Sequence, residues 1–186
     1  MFFGFDPDVK CYDYNPEKAK QLLADAGYPN GFACEVSAYY DRQELEAFVG
    51  YLAKVGIQAK INWYGENRSV LTRMRRAGKV KDIGQFHWGT TGIWDADAVL
   101  YQWFYSKEPN CYNFDPQVDK WLDEARTTLD EAKRKALYAN VQQRIHDEAY
   151  WLPGFAKFNI NGINNKLNYH PPKNEIIELE YITWKK

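Results

Sequence analysis

Asp13-Tyr14-Asn15-Pro16-Glu17-Lys18-Ala19-Lys20-Gln21-Leu22-Leu23-Ala24-Asp25-Ala26-Gly27-Tyr28-Pro29-Asn30-Gly31-Phe32 reads as a helix with both ends marked in the sequence. Asn15 is a good N-cap, because its side-chain oxygen can accept one of the amides that a first helical turn leaves unpaired. Pro16 fits the first helical position, where its missing N–H costs nothing, and Glu17 faces the positive end of the helix dipole. Gly27 follows the last apolar residue as a C-cap, and Tyr28-Pro29-Asn30-Gly31 is turn chemistry leading into a strand.

Working outward, residues 33–40 alternate loosely and contain Val36, Tyr39 and Tyr40, which favours a strand. Asp41 can cap a helix carrying Leu45, Phe48, Val49, Leu52 and Val55 at spacings of three and four, ended by Gly56. Ile57, Ala59, Ile61 and Trp63 then alternate with Gln58, Lys60 and Asn62, predicting a strand with its first set of side chains on a core. Asn67 or Ser69 caps a third helix carrying Val70, Leu71 and Met74, with Arg73, Arg75 and Arg76 as a solvated basic face, and Gly78 stops it. Residues 82–88 form the next short apolar run. Strand, helix, strand, helix, strand predicts parallel strands joined by helical crossovers in a sheet covered by helices.

From Asp95 the pattern turns helix-rich. Residues 96–105 form a short helix, and Asp115-Pro116 opens another with Val118, Trp121, Leu122 and Ala125 inward. Asp130 opens the longest, with Leu137, Val141, Ile145 and Ala149 on one face and Lys133, Arg134, Lys135 and Arg144 solvated. A short strand is expected near residues 156–160, a turn at Asn161-Gly162 or Asn164-Asn165, and a last strand at residues 176–184. The expectation is one α/β domain over residues 1–186, a mixed sheet flanked by helices with a helix-rich C-terminal half, and residues 165–186 as an extended tail.

Lys plus Arg total 24 against 25 Asp plus Glu, so no net field draws the chain to nucleic acid or an anionic membrane. The sequence contains no run of about eighteen apolar residues that would insert in a membrane, and its first residues lack a signal peptide's basic and apolar regions. As written it is therefore expected to stay in the cytoplasm. Cys11, Cys34 and Cys111 lack Cys-x-x-Cys spacing and are expected to be plain thiols. His87, His146 and His170 lie in no metal-ligand spacing, and no phosphate-loop, dinucleotide or nucleophile-elbow pattern occurs, so neither metal nor cofactor is expected. Seven Trp, fourteen Tyr and ten Phe are unusually many, enough for a core and also a ring surface for a ligand.

Within the opening stretch, Tyr14, Pro16, Lys18-Ala19, Leu22-Leu23, Ala26-Gly27-Tyr28-Pro29 and Gly31-Phe32 resemble a segment of the peptide-type (family 5) solute-binding proteins of ABC importers. Four more segments are similar in the same order: Leu52 to Ala59, Phe86-His87-Trp88-Gly89, Asp95-Ala96-Asp97-Ala98-Val99-Leu100, and the run from Asn113 through Asp119, Leu122, Ala125, Asp130, Arg134, Tyr138 and Gln142. Trp151-Leu152-Pro153 stands where the family leads into a strand. The resemblance covers residues 12–160 and implies a single C-terminal lobe, lobe II, of a periplasmic-binding-protein-like fold whose two lobes close on a solute. Location outside the cytoplasm, a small solute such as a peptide or sugar, and an ABC permease reached through the parent protein follow from it as implications.

In that family the lobe contributes the loop after the strand ending near Trp88, which here makes Trp88, Gly89, Thr90, Thr91, Gly92, Trp94 and Asp95 the candidate ligand-binding residues. Peptide-binding members place an acid near the Gly92 position to pair with a peptide's α-amine; Gly92 and Thr91 carry no charge. Trp88 and Trp94 around two threonines suit stacking on a sugar or aromatic face. Asp95 and Asp97 could be imagined as an acid–base pair, but a helix N-cap and a first-turn charge account for them, and no catalysis is expected. The expected function is a non-catalytic solute-binding lobe that binds weakly alone. The rival expectation is a free-standing domain that self-associates as a homodimer through an exposed aromatic surface.

Overall fold

The computed structural model describes residues 3–86, 93–155, 160–171 and 177–185. The chain forms two compact units, one of Cys11–His87 with Lys107–Tyr112, the other of Met1–Lys10, Trp88–Ser106 and Asn113–Lys186.

The first of these units is the α/β one. Helix α1 (Pro16–Asp25) starts at Asn15, whose side chain accepts from the Lys18 amide at 2.9 Å. It ends with Gly27 at φ 91°, while the Tyr28 and Gly27 amides donate to the Leu23 and Ala24 carbonyls. That crossed pair of bonds is the Schellman closure, and it recurs at Gly56, where Ile57 and Gly56 donate to Leu52 and Ala53. Strand β1 (Ala33–Ala38), helix α2 (Arg42–Ala53), strand β2 (Gln58–Trp63), helix α3 (Arg68–Arg76) and the two-residue strand β3 (Ile83–Gly84) follow. The strands are parallel in the order β2-β1-β3, with Val36 opposite both Ile61 and Ile83.

Central β1 is covered on both sides, so Cys34, Val36, Ser37 and Ala38 are all buried. Leu45 of α2 packs on Val36 and Ala38, with Phe48, Val49, Ala59, Ile61 and Ile83 around them. Ala59 and Ile61 thus face the core as their alternation predicts. Trp63 does not: 46% exposed, it ends β2 with its Nε1 donating to the Tyr40 carbonyl and Arg42 stacked on its ring. Arg75 also departs from the expected solvated basic face, being only 8% exposed beside fully buried Leu71.

The second unit is built on α4 (Asp97–Phe104), α5 (Pro116–Thr127) and α6 (Glu131–Asp147). Asp115 and Asp130 cap α5 and α6 through their carboxylates, and Val118, Leu122, Ala125, Leu137, Val141 and Ile145 are buried as their spacing predicts. Tyr138 joins them fully buried, whereas Ala149 is exposed beyond the end of α6 at φ 50°. The N-terminal segment lies along this unit. Phe3 bridges Asp95 in parallel, donating to the Trp94 carbonyl at 3.0 Å and accepting from the Ala96 amide at 2.9 Å. Gly4 packs on Tyr138, where a Cβ would clash with the ring, and Gln142 Nε2 donates to the Gly4 carbonyl at 2.8 Å.

Residues 156–159 of the expected strand lie outside the described residues, and residue 160 is not in a strand. A turn forms where Leu167 donates to the Asn164 carbonyl, but it is not the hairpin expected there: β4 (Leu167–Asn168), which follows it, pairs antiparallel with β5 (Thr183–Trp184), the two residues of the expected strand at 176–184 that are extended and paired, after a 3-10 turn at Leu179–Tyr181. The three-stranded sheet itself is parallel throughout, so among the described residues antiparallel pairing is confined to this small ladder. Among the described residues no helix is long and apolar enough to cross a membrane.

Candidate functional site

The parallel strands of the α/β unit all deliver their carboxyl ends to one edge of the sheet. The chain leaves central β1 for β2 on one side and returns through α3 to β3 on the other, the arrangement that opens a crevice at the carboxyl edge in α/β sheets. Tyr39 and Tyr40 follow β1 directly, Trp63 ends β2, and Gln85 and Phe86 follow β3.

These residues form one aromatic and cationic cluster. Tyr39 lies 4.4 Å from Tyr40 and 6.3 Å from Phe86 between ring centroids. The Arg68 guanidinium sits over both tyrosine rings, 5.1 Å from Tyr39 and 5.8 Å from Tyr40, and Arg75 sits 4.7 Å over Phe86. Such cation–ring contacts stabilise by about 0.5–2 kcal/mol each, more as water is excluded. Gly84 makes room for the Phe86 ring, which a Cβ there would strike. Tyr112 anchors Arg75 from the other side, its hydroxyl donating to the Arg75 carbonyl at 2.8 Å.

The electrostatics of the edge are strained in one direction. Burial lowers the pKa of Arg75, and the neighbouring positive charges of Arg76 and Arg68 lower it further against the pull of Tyr39 and Tyr112. Burial, with its hydrogen bond to Tyr40, pushes the Tyr39 phenol up to about 12. Gln85 continues the ladder by donating its amide to the Ser37 carbonyl at 2.9 Å, while its buried side-chain Oε1 has no hydrogen-bond partner among the described residues.

Of the residues singled out in the sequence, Trp88, Gly89, Thr90, Thr91 and Gly92 lie outside the described residues, as does His87. Trp94 and Asp95 belong to the helical unit. Trp94 is 40% exposed and, with Phe3, Phe5 and Lys135, lines an open groove of about 630 Å³. Asp95 is engaged on both oxygens. Arg134 Nη1 reaches Oδ2 at 2.7 Å and Nη2 reaches Oδ1 at 3.1 Å, while Oδ1 also accepts the Asp97 amide at 2.9 Å. Asp97 takes a forked contact from Arg126 at 2.7–3.1 Å and the Tyr138 hydroxyl at 3.3 Å.

Arg134 is therefore not a solvated residue of the α6 surface. Burial works against its charge, yet Asp95 and Tyr138 outweigh that and hold its pKa above the ordinary value. Hydrogen bonding to Asp97 likewise raises Arg126, which lies 3.1 Å over the Tyr101 ring. Carboxylates committed to guanidinium forks, a cap amide and a phenol tie α4, α5 and α6 together, and the pair has the bonding of structural ion pairs. Among the described residues no cluster of His, Cys, Asp and Glu could hold a metal ion. Sequence reasoning missed Tyr39, Tyr40, Arg68, Arg75 and Phe86 as a group. Their shared signal is position: Tyr39, Tyr40 and Phe86 lie toward the carboxyl ends of the predicted strands at residues 33–40 and 82–88, just beyond the observed β1 and β3.

The family model for bacterial extracellular solute-binding proteins, family 5 Middle, matches residues 1–111. Glutathione-binding protein GsiB of Shigella dysenteriae serotype 1 is 29% identical over 161 residues, which are 81% of this chain and 31% of that protein. The periplasmic binding protein DppA of Helicobacter pylori, associated with an ABC transporter and solved with the peptide STSA, superposes with a TM-score of 0.68 at 30% identity, over 80% of this chain and 30% of its own. HbpA2 of Haemophilus parasuis matches 99% of this chain and 38% of its own with a TM-score of 0.78 at 22% identity, a likeness of fold. The chain spans about a third of the length of these relatives. Solute-binding proteins of ABC transporters are non-enzymatic, in keeping with carboxylates that serve as ion-pair and cap groups. The chain belongs to the bacterial extracellular solute-binding proteins of family 5.

Proposed function

We propose that this chain is a solute-contacting lobe of a family 5 solute-binding protein, which takes up a small solute through the carboxyl edge of its parallel sheet and serves an ABC permease through the parent protein. The observation that carries the reading is the cluster of Tyr39, Tyr40, Phe86, Arg68 and Arg75 at that edge. Rings there offer stacking area, and the charged and amide groups among them offer orientation, the usual division of labour in small-solute sites. Trp88, Gly89, Thr90, Thr91, Gly92 and the partly exposed Trp94 are proposed by themselves as solute-contacting residues, on the family resemblance of that stretch. Asp95 enters this proposal only as the partner that holds Arg134.

A peptide or peptide-like solute is the preferred class, because GsiB is named for glutathione and DppA was solved with a peptide. A lone lobe supplies part of the contacts of a two-lobe clamp, so its affinity is low. Calorimetry on the chain with small peptides and sugars is expected to give no dissociation constant tighter than about 1 mM. A micromolar complex would overturn the weak-binder reading.

A further inference from the structure

We infer that the outer edge of β2 is a self-association surface, on which a second copy of the chain pairs its own β2 antiparallel about a two-fold axis at Ile61. Self-association there does not depend on the proposed solute site.

The order β2-β1-β3 leaves β2 with a strand on one side only. The Gln58 and Tyr64 amides donate to the Phe32 and Ala38 carbonyls, both at 2.8 Å, so the even-numbered positions of β2 bond to β1. Backbone alternation then turns the N–H and C=O groups of Ala59, Ile61 and Trp63 outward, and among the described residues nothing pairs with them. The strand runs beside β1 without a bulge and contains no proline, so its outer groups lie in one regular row, a template for another strand.

The strand is complementary to itself. Centred on Ile61, the antiparallel register sets Ala59 opposite the partner's Trp63 and Lys60 opposite the partner's Asn62. Each outward amide finds an outward carbonyl across the axis, Ile61 with Ile61 and Ala59 with Trp63. The exposed indole of Trp63 meets the smallest side chain of the strand. Asn62 Nδ2 donates to Glu35 Oε2 at 2.9 Å, so each Lys60 arrives beside a carboxylate of the other copy, a favourable cross-strand charge pairing. The covering helices agree with this register. Leu45, Phe48 and Val49 of α2 rest on β1 and β2, and strands lie about 4.8 Å apart, so joining two β2 edges sets the two α2 helices about 10 Å apart, the distance of packed helices. Arg42, stacked on Trp63, marks the flank of α2 beside the edge, and Glu46, its ion-pair partner at 2.8 Å, lies one turn on. Each copy thus offers the other both members of an acid–base pair.

The rival is an edge kept single by Lys60, because an exposed lysine is also a guard against strand pairing. Light scattering and sedimentation of the whole chain between about 10 µM and about 1 mM separate the two, and the expected mean mass climbs from 21.8 kDa toward twice that value, as a small, weak interface does in this range. Ala59→Pro deletes an outward donor and leaves the β1 ladder its bonds; it is expected to weaken association at least about ten-fold with an unchanged circular dichroism spectrum. Register is read by cross-linking in a Cys11→Ser background, mixing a Lys60→Cys chain with an Asn62→Cys chain under oxidised glutathione. Directly opposite residues of this type lie about 4.5 Å apart between Cα atoms, within disulfide reach, whereas two copies of either position lie beyond about 7 Å. The mixed disulfide should exceed that of either chain alone at least about ten-fold.

A constant 21.8 kDa over that range overturns the inference. A dimer that survives in a folded Ala59→Pro chain, or that gives no excess of the mixed disulfide, is joined by another surface and overturns it equally. Should Ala59→Pro not fold, the disulfide ratio alone decides.

Discussion

Arg134 grips Asp95 at two points, 2.7 and 3.1 Å, across thirty-nine positions of sequence, and the same guanidinium donates to the Tyr138 hydroxyl at 2.8 Å. The pair is about a quarter exposed on each side, so it is worth more than a surface ion pair and less than a buried one. Substituting Arg134→Met is expected to lower the stability of the helical unit by about 1–3 kcal/mol, because Asp95 and the buried Tyr138 hydroxyl lose a shared donor. Urea unfolding followed by circular dichroism measures it. A change below about 0.3 kcal/mol would show the network to be ornamental.

Gly31 and Gly56 touch backbone to backbone, and a Cβ on Gly31, which sits at φ 72°, would collide with the Gly56 carbonyl. Gly31→Ala is expected to cost about 2 kcal/mol or more, through strain and displacement of the turn before β1. Gly27→Ala is the control. At φ 91° nothing lies within 4 Å of its added Cβ, so it pays the conformational cost alone, about 1 kcal/mol. Thermal melts that rank the two in the reverse order would contradict the close approach.

Ala149 occupies the position after α6 that glycine fills after α1 and α2, with Tyr150 donating to the Ile145 carbonyl and Ala149 itself to the His146 carbonyl. An alanine at φ 50° carries strain that glycine does not. Ala149→Gly is expected to raise stability by about 0.5 kcal/mol, the strain released exceeding the extra freedom glycine gives the unfolded chain. A lower midpoint in urea would refute it.

Asp115 is 6% exposed, and burial by itself would raise its pKa. Hydrogen bonds from Arg144 and Tyr150, both at 2.9 Å, and from the Gln117 and Val118 amides outweigh this and hold it below the ordinary 3.8. The unfolded chain therefore binds the proton more tightly than the folded one. Stability from this group is fully present above about pH 4 and drains away as pH falls below it, through the depressed folded value. Asp115→Asn is expected to cost about 1–2 kcal/mol at neutral pH, and the gap to the parent should narrow steadily in acid below pH 4. Urea midpoints between pH 2 and 7 test this, and a gap constant over that range would refute the assignment.

Much of the fold was legible because helix ends advertise themselves. Asn15, Asp41, Asp115 and Asp130 are caps by both residue type and observed hydrogen bond, and the inward faces of α5 and most of α6 follow from spacing. What stayed hidden is what depends on partners far away in sequence. Arg134 reads as solvated until Asp95 is placed beside it, and Arg75 reads as solvated until Phe86 covers it. Trp63 sits in a clean alternation but lies at the end of its strand, where the sheet no longer covers it and the Tyr40 carbonyl offers its indole a partner. Tyr138 carries a hydroxyl, which the hydrophobic pattern alone does not place in a core, and it is buried because Arg134 and Asp97 satisfy that hydroxyl. The candidate site was legible only as a location near the third strand. Its aromatic members follow β1 and β3 and its cationic members stand on α3, and they meet only once the strands lie side by side.

Phe3 and Gly4 pack against residues at positions 94–96, 138 and 142, so the helical unit closes through contacts distant in sequence, 138 positions apart for Gln142 and Gly4. The parallel sheet of the other unit draws all its strands from residues 33–84. Bringing Gly4 to Gln142 closes a longer loop than pairing β1 with β3 does. On refolding from urea the sheet amides should thus gain protection from hydrogen exchange first, and the amides of residues 3–6 only together with those of α6.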